Sequence, residues 1–460
     1  MQHNKMHWFG ALLLFAALPC SADLYTAGVS YEKGDFTGAF QQYKEMAETG
    51  EPQAQYNVAV MYVNGKGVTE SNVYAHAWAS LSAHSGYAKG ADLAAQLEPQ
   101  LTPNSLKLSA EIQAQYSTEA LNARLLPRIL NNKNYEDHDP VKRIKSASDM
   151  EYPVEYQRRG IEGEVYVEFS VPPDGHPRLP RILYAIPGPG FNASVIDNVM
   201  HTTYLPARVN GVPVTTSTSL FVRFKISGAD IAEYGGLRDR VAATKAKAEA
   251  GDASSQMVYG MMLAGLPQLN ASYDKALPWF LKAAQSGAPY AQYQIGTALL
   301  SGHGCQCDNT KGEIWLQKAA RAGEPEAQVS LAEYLLRDEP SAASTAGALQ
   351  WLERAAEKND SAGMFLLAAL LAASPDPHTR DPGRALNLAD TLERDHKNDP
   401  LYWEIRAAAL AAKGDFKGAD KCQARGIDGA TKLGWNLDDM KARQALYASR
   451  QAWTGNLLKL

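Results

Sequence analysis

Two hydrophobic periods divide this chain. Over residues 24 to 96 and 249 to 430, apolar and small residues return every three or four positions, the spacing of amphipathic helices. Between 141 and 228 they alternate with polar residues, the spacing of strands. The helical segments carry a longer period as well. Trp279, Trp315 and Trp351 stand 36 residues apart, followed by Ala283-Ala284, Ala319-Ala320 and Ala355-Ala356, then by Gly287, Gly323 and Asn359. Glycine and asparagine tolerate the left-handed conformation on which helices commonly end, so these are helix stops.

Ahead of each tryptophan a second apolar helix opens on Ser255-Gln256, Ala291-Gln292 and Ala327-Gln328, with Gly260, Gly296 and Ala332 five residues in. Ala54-Gln55, Ala59, Trp78, Ala83 and Gly86 repeat the offsets upstream. The pattern predicts two-helix units joined by turns such as Gly302-His303-Gly304. One such pair cannot bury its apolar face alone, so the units stack into an array. A tryptophan at one fixed place in each unit is expected to pack between helices rather than to bind a ligand.

In the alternating segment, Val165, Val167, Phe169 and Val171 face one way and Glu164, Tyr166, Glu168 and Ser170 the other, which predicts a half-buried strand. Pro172-Pro173-Asp174-Gly175 turns the chain into a second strand around Arg181 to Ile186. A short helix follows with Phe191, Val195, Ile196, Val199 and Met200 on its apolar stripe, ended by Pro206. The last strand, Ser217 to Ile226, sets Leu220, Val222, Phe224 and Ile226 inward. A sheet of this size leaves one margin as a template for an incoming strand, and the candidate is Phe221, Val222, Arg223, Phe224, Lys225 and Ile226.

The expected architecture is therefore mostly α, a solenoid of helix hairpins with an inserted small α+β domain of order strand, strand, helix, strand. Its segments are N-terminal repeats (23–96), a linker with one helix from Ser105 to Leu126 (97–140), the sheet domain (141–228), a connecting helix (229–248), the main array (249–430) and a C-terminal helical cap (431–460). Residues 1–22 read as a secretory signal peptide. Lys5 precedes an apolar run, Phe9 to Leu18, and Pro19-Cys20-Ser21-Ala22 supplies a break and small residues. The run is about half of the ~20 residues that a membrane-crossing helix needs.

Composition narrows the function. A net charge of -5 over 460 residues argues against nucleic acid as the main partner. The sheet segment itself has ten basic and eight acidic residues. Arg158-Arg159 and Arg223 are its candidate contacts for an acidic segment. Cys305 and Cys307, two apart in a loop, are spaced to close a small strained disulfide in an oxidising compartment. No nucleophile elbow, phosphate loop or paired metal-spaced histidines stand out, so neither an enzyme nor a cofactor or metal site is expected.

Two resemblances give these features names. The repeated units resemble Sel-one-like repeats, relatives of tetratricopeptide repeats, with the hairpins at Gly34-Asp35-Phe36 and Gly414-Asp415-Phe416 diverging as capping units. Tyr152-Pro153, Gly160-Ile161-Glu162-Gly163, Asp174-Gly175, Tyr204-x-Pro206-Ala207 and Asn210-Gly211-x-Pro213-Val214 together resemble the C-terminal domain of the TonB family of energy transducers. That resemblance implies a periplasmic domain that recognises a short motif of outer-membrane receptors by strand addition. It also implies a link to energy-dependent transport. Repeat arrays imply extended peptide partners on a concave face, and any inner-membrane association would run through a partner. A transducer of that family has its domain at the chain end after a membrane helix and a Pro-rich spacer, whereas here the domain sits between repeats. A scaffold or regulator of envelope assembly without a transport role is the alternative.

Overall fold

The computed structural model describes residues 24–129, 138–139, 141–145, 150–209, 211–226, 234–266, 269, 273–336 and 342–457. The expected signal peptide and Asn210 lie outside them. The chain forms two compact units, one up to Leu121 and the other from Asn122.

The first unit is helical. It comprises α1 (Leu24–Glu32), α2 (Phe36–Glu48), α3 (Pro52–Asn64), α4 (Asn72–His84), α5 (Ala88–Leu97) and α6 (Pro103–Gln115); α7 (Thr118–Leu125) leads into the second. Its core gathers Phe40, Tyr43, Met46, Val58, Met61 and Trp78. Helix starts follow from capping side chains: Asp35 accepts from Gly38 N at 2.9 Å and Thr102 from Ser105 N at 3.2 Å. The helix expected from Ser105 to Leu126 is two helices. Ser117 Oγ accepts from Ala120 N at 3.2 Å, so a fresh N-terminal cap breaks it.

The second unit opens with β1 (His138–Asp139), β2 (Lys142–Lys145), α8 (Val154–Arg158), β3 (Gly163–Val171), β4 (Arg178–Ile186), α9 (Asn192–Met200), β5 (Thr203–Leu205), β6 (Ala207–Val209), β7 (Val212–Val214) and β8 (Thr216–Phe224). The main sheet is antiparallel in the order β4-β3-β8. The expected order of strands and helix stands, with short strands added: β1 pairs with β6, and β2 with β5. His138 and Asp139, read as linker, thus belong to a ladder. The α9 helix stops at Met200 rather than at Pro206, and Tyr204 and Pro206 lie in the following β5-to-β6 stretch.

The helices α10 (Tyr234–Glu249), α11 (Ala253–Gly265), α12 (Tyr273–Gln285), α13 (Pro289–Ser301), α14 (Asn309–Arg321), α15 (Pro325–Leu335), α16 (Ala342–Glu357), α17 (Ser361–Ala373), α18 (Pro382–His396), α19 (Pro400–Ala412), α20 (Phe416–Lys432) and α21 (Asp438–Ala448) form the solenoid. Gly287, Gly323 and Asn359 all have left-handed φ, as their place at helix ends predicts. Trp78, Trp315 and Trp351 are buried. The recurrent glutamine has a job that its spacing alone does not reveal. Gln55, Gln256, Gln292 and Gln328 each donate Nε2 to the carbonyl eight residues earlier, at 3.2, 3.2, 3.3 and 3.0 Å. Each of these carbonyls also accepts from the glycine N–H three residues on, so the glutamine is a second donor that ties the preceding helix end to the next helix. A Cβ at Gly296 would stand 2.9 Å from Leu316, which is why that position is small.

The sheet and the solenoid share a core. Leu179, Ile196 and Met200 pack with Tyr293, Leu316, Val329 and Trp351, whereas Val195 and Val199 of α9 face Val165, Phe169, Phe191 and Phe224. The β3 strand is consequently not half-buried as its alternation suggests. Tyr166 and Glu168, on the supposed solvent face, are both 5 % exposed.

Candidate functional site

The β8 strand, which carries most of the candidate margin, stands at one end of the order of the main sheet. Val222 and Phe224 point into the sheet core, where the Phe224 ring stacks on Phe191 at 4.3 Å between centroids. A groove of about 350 Å³ runs beside the strand, lined by Arg143, Met150, Tyr152 and Leu220 to Lys225. The candidate margin needs shortening. Regular strand ends at Phe224, and the Ile226 amide already donates to Glu162 Oε1 at 3.1 Å, so neither Lys225 nor Ile226 continues the ladder. Phe221, Arg223 and Lys225 carry contacts of their own. Arg223 Nε also lies 3.5 Å from Glu164 Oε1.

The other motif residues hold the frame around this groove. Tyr152 donates its hydroxyl to Ile161 O at 2.7 Å and sets its ring edge-on to Phe224. Pro153 opens α8, and Gly160, with φ of 68°, turns the chain out of it. Gly163 begins β3 against the Phe191 ring. Gly175, with φ of 75°, accepts from Tyr204 N at 3.0 Å and leaves no room for a Cβ beside the Tyr204 carbonyl. Burial pushes the Tyr204 hydroxyl up to about 12, so it stays neutral. Asp174 accepts from His176 N at 2.9 Å, and Gly211 accepts from Arg208 at 2.8 Å in the β6-to-β7 turn. Arg158 and Arg159 are exposed on and just after α8, and Arg159 pairs with Glu155 at 3.4 Å. They do not line the β8 groove.

The opposite margin is fixed to the repeats. Arg181 on β4 meets Glu168 of β3 at 2.7 Å, Glu326 of α15 at 3.7 Å and Asp360, the cap of α17, at 3.3 Å. Tyr293 of α13 donates to the other Glu168 oxygen at 3.2 Å. Burial disfavours the charged form of Arg181, but Asp360, Glu168 and Glu326 more than reverse this, and the guanidinium stays charged. Burial also raises the Glu168 carboxyl. Glu324, half-buried and hydrogen-bonded to Glu326, is pushed up to about 9 by desolvation and its carboxylate neighbour. A second arginine, Arg178, lies 3.5 Å over the Trp435 ring and pairs with Asp174 at 3.0 Å. No sequence signal pointed to this cluster, because alternation assigns Glu168 to solvent and the repeat-side partners of Arg181 lie on helices far along the chain.

Cys305 and Cys307 are free thiols rather than a disulfide. Cys305 is buried in the solenoid core and its backbone bridges to Ile129. Among the described residues no group of His, Cys, Asp and Glu is placed to hold a metal ion.

The family model described as Gram-negative bacterial TonB protein C-terminal matches residues 148–226. The Sel1 repeat matches 52–87, 253–287, 289–324 and 325–360. No curated protein matches the chain. Among solved structures, a Sel1 repeat protein from Oxalobacter formigenes is 19 % identical, with a TM-score of 0.32, covering 44 % of this chain and 85 % of its own. The protein c5321, a protective antigen of uropathogenic Escherichia coli strains with an SLR fold, is 18 % identical, with a TM-score of 0.34, over 93 % of this chain and 84 % of its own. The Pseudomonas aeruginosa TonB C-terminal domain, solved by NMR, is 28 % identical, with a TM-score of 0.18, over 21 % of this chain and 94 % of its own. Both matched families are protein-interaction modules.

Proposed function

Because the chain holds a TonB C-terminal domain flanked by Sel1 repeats, we propose that it is a periplasmic interaction protein of the Gram-negative envelope. In this reading its β8 margin takes an extended segment of an outer-membrane receptor, or of another envelope protein, by strand addition in support of energy-dependent transport. The observation that carries the reading is the place of β8 at the end of the sheet order with a groove alongside it. Phe221, Arg223 and Lys225 already make contacts of their own, which an incoming segment has to accommodate. The apolar leader at residues 9–18 supports export, and no helix among the described residues is long and apolar enough to cross a membrane. The chain acts here by binding, without catalysis or cofactor.

Hydrogen exchange on the full chain tests this, with peptides copying the receptor motif that the TonB family recognises. Protection of amides 216–224 on peptide addition is the expected outcome. Unchanged exchange there at saturating peptide overturns strand addition. That outcome favours the second reading, a repeat scaffold without a transport role, which the shared core of sheet and solenoid supports: the inserted domain then serves as part of the scaffold's body.

A further inference from the structure

A second concave surface lies away from β8. The end of α9 and the helices α18 to α20 enclose a cleft of about 610 Å³, within the range of ligand pockets. Asp197 and His201 form one wall; Lys397, Trp403, Arg425 and Leu433 stand among the residues of the other. Its charges are unequally engaged. Lys432 pairs with Asp428 at 2.7 Å, and Asp197 lies 3.6 Å from His201. Among the described residues, no carboxylate lies within ion-pair distance of Lys397 or Arg425, both of which are exposed.

Lys397, Lys432 and His201 stand at helix C-termini, where the backbone dipole itself favours a cation. Arg425 lies in the middle of α20 and has no such reason to be there. Its guanidinium sits 4.7 Å from the Trp403 ring centroid. The indole N–H of Trp403 is already spent on the Lys397 carbonyl at 2.8 Å and Arg425 covers one face of the ring, so what the half-buried indole offers the cleft is its remaining apolar surface.

We propose that this cleft docks an extended peptide in which acidic residues alternate with apolar ones. Carboxylates engage Arg425 and Lys397, and apolar side chains lie against Trp403 and Leu433. A bare anion would leave the indole and Leu433 unused, and a basic segment would meet two uncompensated cations. Because the walls come from both the inserted domain and the last repeats, the site exists only while the two are packed together. It is independent of β8: strand addition can fail without affecting it.

The test is fluorescence anisotropy of the full chain with the labelled peptide Glu-Leu-Glu-Leu-Glu-Leu, and with its Lys-Leu counterpart as control. Saturable binding of the acidic peptide, weakening as salt rises from about 50 to about 300 mM, is expected. The double variant K397E/R425E should lose at least about tenfold in affinity while keeping its melting curve. Charge reversal at Lys245, an exposed α10 residue outside the cleft, should leave affinity unchanged. Absence of saturable binding, equal binding of the basic peptide, or unchanged affinity in K397E/R425E overturns the proposal.

Discussion

Arg181 and Asp360 lie 179 residues apart in sequence and are joined by a 3.3 Å hydrogen bond. The same aspartate caps α17 by accepting from Gly363 N at 2.6 Å, so one side chain both starts a repeat helix and anchors the sheet. Removing the guanidinium strands Glu168, Glu326 and Asp360 without a cation. Arg181→Met should therefore cost about 3–5 kcal/mol, the range for breaking a buried ion pair on one side. Urea unfolding of the full chain measures it, and a loss below about 1 kcal/mol would mean that water already serves these carboxylates.

Alkaline pH should lower the stability of the folded chain through carboxyls near this cluster. Glu324 sits at about 9 in the folded chain against an ordinary 4.5, so between those values the folded state holds a proton that the unfolded state has released. Stability is then fully present below the lower value and falls as pH rises toward the upper one. The upward shift of Glu168 acts in the same sense, and the lowered Glu326 matters only in acid. Burial of Asp399, pushed up to about 6 from 3.8, adds a smaller decline at the acid end. Urea midpoints at about pH 6 and about pH 9 should differ, and Glu324→Gln should flatten the difference. An equal slope in that variant would assign the effect elsewhere.

The thiols should label unequally. Burial pushes Cys305 up to about 12, whereas Cys307 is exposed and less protected. Mass spectrometry after brief alkylation of the native chain should find Cys307 modified and Cys305 untouched until denaturant is added. Early modification of Cys305 would contradict its packing.

Phe224→Asp places an unpaired charge against Phe191 and Tyr152, a cost of several kcal/mol. If the sheet folded by itself, the solenoid would melt unchanged. The shared core predicts instead that near-UV signals and the fluorescence of the buried Trp315 and Trp351 fall in one transition at lower temperature. A tryptophan signal that keeps its midpoint would restore independence.

The repeats were legible because a solenoid writes its period into the sequence: the stops at Gly287, Gly323 and Asn359 and the tryptophans between them have local causes. The sheet was legible for the same reason, through the alternation of Val165 to Val171. What could not be read was which polar letters are dry. Glu168 looks identical whether it meets water or Arg181, and Arg181 finds its partners on helices far down the chain. The cleft between α9 and α20 was equally hidden, since Asp197 and Arg425 share no local pattern.

The bond between Arg181 and Asp360 also orders events during synthesis. When β4 leaves the ribosome, its carboxylate partners on α15 and α17 do not yet exist, so the nascent sheet has a bare outer face until those helices are translated. Whatever holds the chain in that interval, a chaperone or an export channel, meets Tyr166, Leu179 and Met200 uncovered. Truncations ending before residue 360 should accordingly be captured by chaperones far more than the whole protein.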